Sequence, residues 1–467
     1  MLVSNYSAPE FDPYDDNNEL VVDSGPWAAP VATQPLSSTL QLPGSKSLTN
    51  RELVLAALAE EPSTLRAPLH SRDTNLMVDA LKALGITIAE VPGAGKYGTD
   101  LRVTPGELSG GASIECGLAG TVMRFVPPVA ALALGPVAFD GDISARKRPM
   151  RGTIASLRAL GVDVTDDGRG RLPFSLYGEG AVPGGDIEVD ASTSSQFVSA
   201  LLLVAPRFTN GLTLRHTGAT LPSLPHIEMT IACLAARGVQ VQTPQPGHWI
   251  VPAGPIAGLD VDIEPDLSNA APFLAAALVA GGTVTIEGWP DVTTQVGTRL
   301  EELLPHFGAT VSRADGSLTV DGGAGLKGDG IRGVELDLSD CGELAPALVA
   351  LAALATGPSR ITGIGHLRGH ESNRLEALTT EINALGGSVT ELEDGLAIEP
   401  APLHGGLWHT YEDHRMATAG AILGLGVPGV DIEDIETTSK TLPQFVSLWL
   451  GPLLGLTRVS VDPLSIL

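Results

Sequence analysis

Lys46, Arg51, Arg124 and Arg415 stand where a helix gains nothing from a cation. Each lies at the opening of an Ala/Leu-rich run: Gly44-Ser45-Lys46-Ser47 with Arg51, Ala119-Gly120-Thr121 with Arg124, and Asp413-His414-Arg415. Other openings read Ser192 through Gln196, Asp266-Leu267-Ser268-Asn269 and Gly342-Glu343. The Ser, Thr, Asn and Asp residues suit helix N-caps, worth about 1 kcal/mol each. Capping does not account for the cations, because the positive end of the helix dipole lies in the same turn. A helix carries a cation there at least cost when an anion sits in front, held by free N–H groups and the side chain together. The chemistry expected is binding of a small polyanion, with Glu343 and Glu371 beside it as natural acid and base.

More basic residues fall between helices. They are Ala145-Arg146-Lys147-Arg148-Pro149, His366-Leu367-Arg368-Gly369-His370-Glu371 with Arg374, and Lys440 in Thr438-Ser439-Lys440-Thr441. The chain has only 28 Lys and Arg residues, so recurrence at equivalent points argues for a pocket over scattered surface charge. Other chemistries lack their signatures. Gly44–Ser47 resembles the end of a P-loop without the glycine five residues before the lysine. The ten histidines show no metal-ligand spacing, and no nucleophile elbow or Cys–His pair stands out.

The elements that must position these residues repeat. Polar clusters open helices at Lys46, Thr121, Ser195, Asn269, Glu343 and Arg415, at steps of 75, 74, 74, 74 and 72 residues. A β-like run follows, and then a second helix closes on Gly85, Gly161, Gly238, Gly308, Gly386 or Gly455, each a candidate left-handed C′ residue. Two series in step predict six copies of an α/β unit, too many for one core and better housed as two domains of three. The break is expected near Pro252–Glu264, where PAGPIAGLD interrupts the pattern. Residues 1–37 read as a disordered acidic tail with Trp27 docking locally, so ordered structure is expected to begin near Ser38.

At 467 residues, 43% hydrophobic, the chain can bury a large core, and its net charge of −26 argues against nucleic acid or an anionic membrane as partner. Cys116, Cys233 and Cys341 are too few and scattered for a disulfide framework or a Cys-based zinc site. No apolar stretch reaches the roughly 20 residues of a membrane span, and no signal-like segment opens the chain. The expectation is a soluble, cytoplasmic protein.

Taken in order, LPGSKSLTNRELVLAALA, CGLAGTVMRF, RKRPM, STSSQF, HESNRL, EDHRMA and SKTLP resemble the 5-enolpyruvylshikimate-3-phosphate synthase (3-phosphoshikimate 1-carboxyvinyltransferase) family from about Leu40 to Lys440. That resemblance implies an inside-out α/β prism of six βαβαββ repeats, three per domain, with the active site in the interdomain cleft. Residues 45–262 would form one domain, and 38–44 with 263–467 the other. The implied reaction moves the enolpyruvyl group of phosphoenolpyruvate to the 5-hydroxyl of 3-phosphoshikimate, without metal or cofactor, in a monomer.

By motif position, Lys46, Gly120, Arg148, Gln196, Arg374, Arg415 and Lys440 would hold phosphoenolpyruvate. Lys46, Ser47, Arg51, Ser194, Ser195, Gln196, Ser223, Glu343 and His370 would hold 3-phosphoshikimate. Glu343 would take the hydroxyl proton, and Glu371 with Lys46 would protonate the methylene. Glyphosate, which resembles phosphoenolpyruvate in this family, is expected to inhibit, and Gly120→Ala to weaken that inhibition. Leu118, His226, Glu343 and His370 depart from the family's usual Asn, Tyr, Asp and Lys. An imidazole at His370 is expected to change charge near neutral pH and steepen the activity profile between about pH 6 and 8. The related UDP-N-acetylglucosamine enolpyruvyl transferases carry a Cys in the loop matching Gly141–Pro149, which has none here. A non-catalytic anion-binding scaffold is the rival of another class.

Overall fold

The computed structural model describes residues 25–456. The expected tail therefore lies outside the described residues for positions 1–24, but its remainder corrects the prediction. Trp27–Ala28 is a strand paired antiparallel with Ile432 and Asp431, and the Ala29 N–H donates to the Val430 carbonyl at 2.9 Å. Leu36–Gln41 runs parallel to Gly282–Glu287, so structure starts well before Ser38. Strand pairing with the distant fourth and sixth repeats holds this segment, and nothing local in its sequence signals that.

Six helices open the repeats as expected: Lys46–Leu58, Gly120–Ala130, Gln196–Val204, Ala270–Ala280, Ala345–Ala353 and His414–Gly426. Gly120–Ala130 and Ala270–Ala280 are buried at all eleven positions, and Ala345–Ala353 at all nine. A helix apolar on every face belongs in an interior. The strands instead alternate: Leu36–Gln41 is buried at every second residue, as a sheet with one wet face requires. Helices therefore fill the centre and sheets form the outside. The six glycines that close the second helices all adopt positive φ, between +66° and +110°.

Five sheets have four strands in one order, a parallel pair followed by an antiparallel hairpin, as in the sheet of Ala112–Glu115, Leu134–Asp140, Phe174–Glu179 and Asp163–Thr165. The sixth has three strands, and Trp27–Ala28 takes the antiparallel place beside Val430–Ile432 that a hairpin strand fills elsewhere. Buried apolar side chains fall into two cores. One runs from Leu53 to Ile263, and the other combines Ala29–Leu42 with Leu267–Leu453. The chain passes between them twice, where the Ser45 N–H donates to Glu264 O (2.8 Å) and the Asp266 N–H to Pro43 O (2.9 Å). Among the described residues, no helix is long and apolar enough to cross a membrane.

Candidate active site

The central helices start at the boundary between the two cores, and their first turns line one cleft there. Its walls include Lys46, Ser47, Arg51, Gly120, Arg148, Ser194, Ser195, Gln196, Ser223, Glu343, His370, Glu371, Arg374 and Arg415. Of the residues assigned from sequence to substrate binding or proton transfer, Lys440 alone does not line it. Its ammonium is buried behind the wall, 3.1 Å from both Glu371 Oε1 and the Leu118 carbonyl.

Caps and cations share these helix starts. Ser45 accepts from the Leu48 N–H as an N-cap, and Asp413 from the Arg415 N–H. The starts at Gly120, Gln196, Ala270 and Ala345 have no side-chain cap. Asp266 serves two helices at once, accepting the Lys46 N–H (3.1 Å) and the Asn269 N–H (3.0 Å).

On the N-terminal side the cations lean on neutral groups. Arg51 donates to Thr230 Oγ1 and to the carbonyls of Ser47 and His226, with its guanidinium over the Phe125 ring. Burial brings its pKa down to about 10, which leaves it charged. Arg148 donates to the Leu118 carbonyl (3.1 Å), so the backbone of this unusual position does the holding. Arg124 donates to Gly120 O and Pro149 O and lies over Phe197. A Cβ on Gly120 would come within 3.0 Å of both Arg124 Nη1 and Arg148 Nη2. Lys46 is the exception, 3.4 Å from the buried Asp73. The Arg146–Arg148 run does not act as a block: Arg146 pairs with Asp140, Lys147 is exposed, and only Arg148 turns inward. Arg368 likewise turns away, onto Glu391.

On the C-terminal side Glu343, Glu371 and Asp413 each face a cation or an imidazole, while buried Asp266 is held by backbone N–H groups and burial pushes its pKa up. Arg374 donates to both oxygens of Asp413 (2.8 and 3.0 Å) and to Glu371 Oε2 (3.1 Å). Glu371 also lies 2.9 Å from His414 Nδ1. Burial would raise the Glu371 carboxyl, but Lys440, His414 and Arg374 outweigh it and hold it well below the usual range. Burial likewise opposes ionisation of Glu343, and His226, Arg415 and Ser268 overcome it. His226 Nε2 is 2.8 Å from Glu343 Oε2, and the Ser268 hydroxyl donates to Oε1. Asp413 is delivered by two consecutive left-handed residues, Tyr411 (φ +55°) and Glu412 (φ +56°). That turn is pinned by buried Glu381, which accepts from Tyr411 Oη (2.5 Å) and the His409 N–H (3.0 Å).

His370 departs from the expected titration: burial first, then Arg374, His366 and Arg148, push its pKa well below the ordinary histidine value in the substrate-free cleft. Sequence reasoning also passed over Asp73 and the roles of Ser268, His226 and His414. The EDHRMA motif was the only visible signal for His414, and the others are defined by partners far along the chain. Glu371, Asp413 and His414 bring potential metal-ligating atoms within 4.8 Å of one another. Both carboxylates already neutralise Arg374, so the donor set suits an internal ion-pair network better than a cation.

The sequence profile of the family described as EPSP synthase (3-phosphoshikimate 1-carboxyvinyltransferase) matches residues 31–449. A 3-phosphoshikimate 1-carboxyvinyltransferase of Kocuria rhizophila is 58% identical over 429 residues, covering 91% of this chain and 95% of that protein. Among solved structures, an EPSP synthase from Acinetobacter baumannii superposes with a TM-score of 0.72 at 25% identity, covering 91% of this chain and 98% of that one. The enolpyruvyl transferase NikO from Streptomyces tendae shares the fold, with a TM-score of 0.71 at 18% identity over 91% of this chain and 96% of that one.

Proposed function

The chain belongs to the EPSP synthase family, and from that premise we propose how its cleft divides the work. It is a transferase of the shikimate pathway, moving the enolpyruvyl group of phosphoenolpyruvate onto 3-phosphoshikimate on the way to the aromatic amino acids. Our reading of its organisation is two domains, 45–262 and 38–44 with 263–467, in a cytoplasmic monomer. The two separate hydrophobic cores support that division.

Ser194, Ser195 and Ser223 hold the phosphate of 3-phosphoshikimate, and Arg51 its carboxylate. Ser47, Gln196 and His370 take its remaining polar groups. Lys46, Arg148, Arg374 and Arg415 hold phosphoenolpyruvate against the backbone at Gly120, with Lys440 acting from behind Glu371. Glu343, already ionised, accepts the proton of the 5-hydroxyl as its oxygen attacks C2. Glu371 with Lys46 supplies a proton to the methylene carbon, which becomes a methyl group in the tetrahedral adduct. Breaking the C2–O bond releases phosphate, and loss of a methyl proton restores the double bond. The fixed cations stabilise the leaving phosphate.

In the unliganded cleft Glu371 is a poor acid, because Lys440, His414 and Arg374 all stabilise its anion. Phosphoenolpyruvate brings its own negative charge to those cations, which raises the Glu371 pKa and makes it a usable donor. The observation carrying this reading is the convergence of six cations, Lys46, Arg51, Arg124, Arg148, Arg374 and Arg415, and both glutamates on one cleft. Phosphate release from phosphoenolpyruvate in metal-free buffer tests it. Release is expected only when 3-phosphoshikimate is also present. Tight binding of either compound without release would favour an anion-binding scaffold instead.

A further inference from the structure

Glu343 and His226 meet across the boundary between the two cores. Glu343 stands on the short turn Gly342–Leu344, ahead of a central helix of the C-terminal half. His226 lies in the first turn of Leu224–Ala236, in the N-terminal half. The backbone that carries His226 is firmly anchored. The His226 carbonyl accepts from Arg51 Nη2 (2.9 Å), Thr230 Oγ1 (3.0 Å) and Ser199 Oγ (3.3 Å), and its N–H donates to Ser223 O (3.0 Å). Beside it, left-handed Ser223 (φ +54°) sends its own N–H across the boundary to Ser339 O at 3.3 Å. Two adjacent hydrogen bonds thus tie this turn to the segment that carries Glu343.

An ionised carboxylate only accepts, so His226 Nε2 must carry the hydrogen in the 2.8 Å contact with Glu343 Oε2. Ser268 occupies the other oxygen from the C-terminal half. A glutamate has one more rotatable bond than an aspartate and loses more freedom when fixed. With one oxygen gripped from each half, its carboxylate has a single orientation.

We propose that His226 is a positioning residue for Glu343, aiming its carboxylate from the opposite half of the cleft. The proposal rests on the reading of Glu343 as the base. It assigns His226 no proton transfer of its own: the imidazole aims the carboxylate, and the 5-hydroxyl proton still goes to Glu343.

The test compares His226→Phe with His226→Gln in the full chain, with kcat and both KM values measured alongside thermal melting. Neither change removes the backbone carbonyl that Arg51 holds. His226→Phe is expected to lower kcat about 10- to 100-fold, with KM for phosphoenolpyruvate within about twofold. His226→Gln, whose amide N–H can reach the same oxygen, is expected to recover most of that loss. Single-turnover rates in a Glu343→Asp background, where the shortened carboxylate no longer meets the imidazole, should show little further effect of His226→Phe. An undiminished kcat in His226→Phe overturns the proposal, as does an equal loss in both backgrounds or a loss seen only in KM. Near-normal activity in Glu343→Gln would instead sink the base assignment, whatever His226 does.

Discussion

The two walls of the cleft are built on opposite electrostatic plans. On the N-terminal side no aspartate or glutamate among the described residues lines the cavity, and Arg51, Arg124 and Arg148 are held by carbonyls, a hydroxyl and aromatic rings. Their charge is left for a ligand. On the C-terminal side Glu343, Glu371 and Asp413 each sit against a cation or imidazole, so charge is largely balanced before any substrate arrives. In the proposed mechanism the first wall captures anions. The second exchanges protons, because a buried carboxylate with several donors has a pKa that an arriving charge can move. Pseudo-symmetric repeats supply both walls, so the difference lies in which residues occupy equivalent helix starts.

That contrast can be broken one wall at a time. Glu343→Gln removes the proposed base and should lower kcat by about 10²- to 10⁴-fold while 3-phosphoshikimate still binds, as steady-state kinetics and calorimetry would show. A loss confined to binding would move Glu343 from the proton wall to the capture wall. Asp413→Ala leaves the Arg374 guanidinium buried without its main partner. About 3–5 kcal/mol of stability should go with it, read by denaturant unfolding. A change under about 1 kcal/mol would mean that the C-terminal pairs are not charge-balanced as described.

Ser195→Ala takes a donor from the capture wall and should raise KM for 3-phosphoshikimate about 10- to 100-fold with kcat retained, since a hydrogen bond to a charged group is worth about 1.5–3 kcal/mol. A fall in kcat alone would contradict the division. Gly120→Ala places a Cβ within 3.0 Å of the Arg124 and Arg148 guanidinium groups. Displacing Arg148 by a few tenths of an ångström should raise KM for phosphoenolpyruvate about tenfold and weaken glyphosate inhibition at least as much. Unchanged inhibition would show that Arg148 yields freely.

The smallest expected effect is on stability against pH in the substrate-free protein. His414 is pushed down to about 4 by burial, although Glu371 opposes the shift, and burial also depresses His366 and His370. Below about pH 6.5 the unfolded chain binds protons at these sites that the folded chain refuses, so stability falls as pH falls. Glu343, Glu371 and Asp413 have depressed values too, so they add a second loss below about pH 4. Melting temperature should therefore be level above pH 7 and decline from about pH 6.5. A constant value down to pH 5 would mean that these histidines titrate freely.

Much of the fold was legible because its signals are local. An apolar run with a polar start and a glycine stop marks a helix wherever it occurs, and six such pairs in step revealed the repeats before any packing was known. The cations at the helix starts were legible for the same reason, since a charge that opposes its own helix stands out within a few residues. Trp27–Ala28 was not, because its hydrogen bonds go to residues some 400 positions away.

What the sequence by itself determined is the inventory: six units, a cluster of cations and two glutamates at their helix starts, and so an anion-binding cleft with acid–base groups beside it. Only the tertiary structure decided which residue answers which. His226 meets Glu343, Lys440 stands behind Glu371, Arg148 turns inward while Arg146 and Lys147 do not, and burial pushes the His370 pKa down. Residue type and spacing are properties of the chain. Pairing and protonation depend on burial and on neighbours brought from far along it, and packing alone sets those.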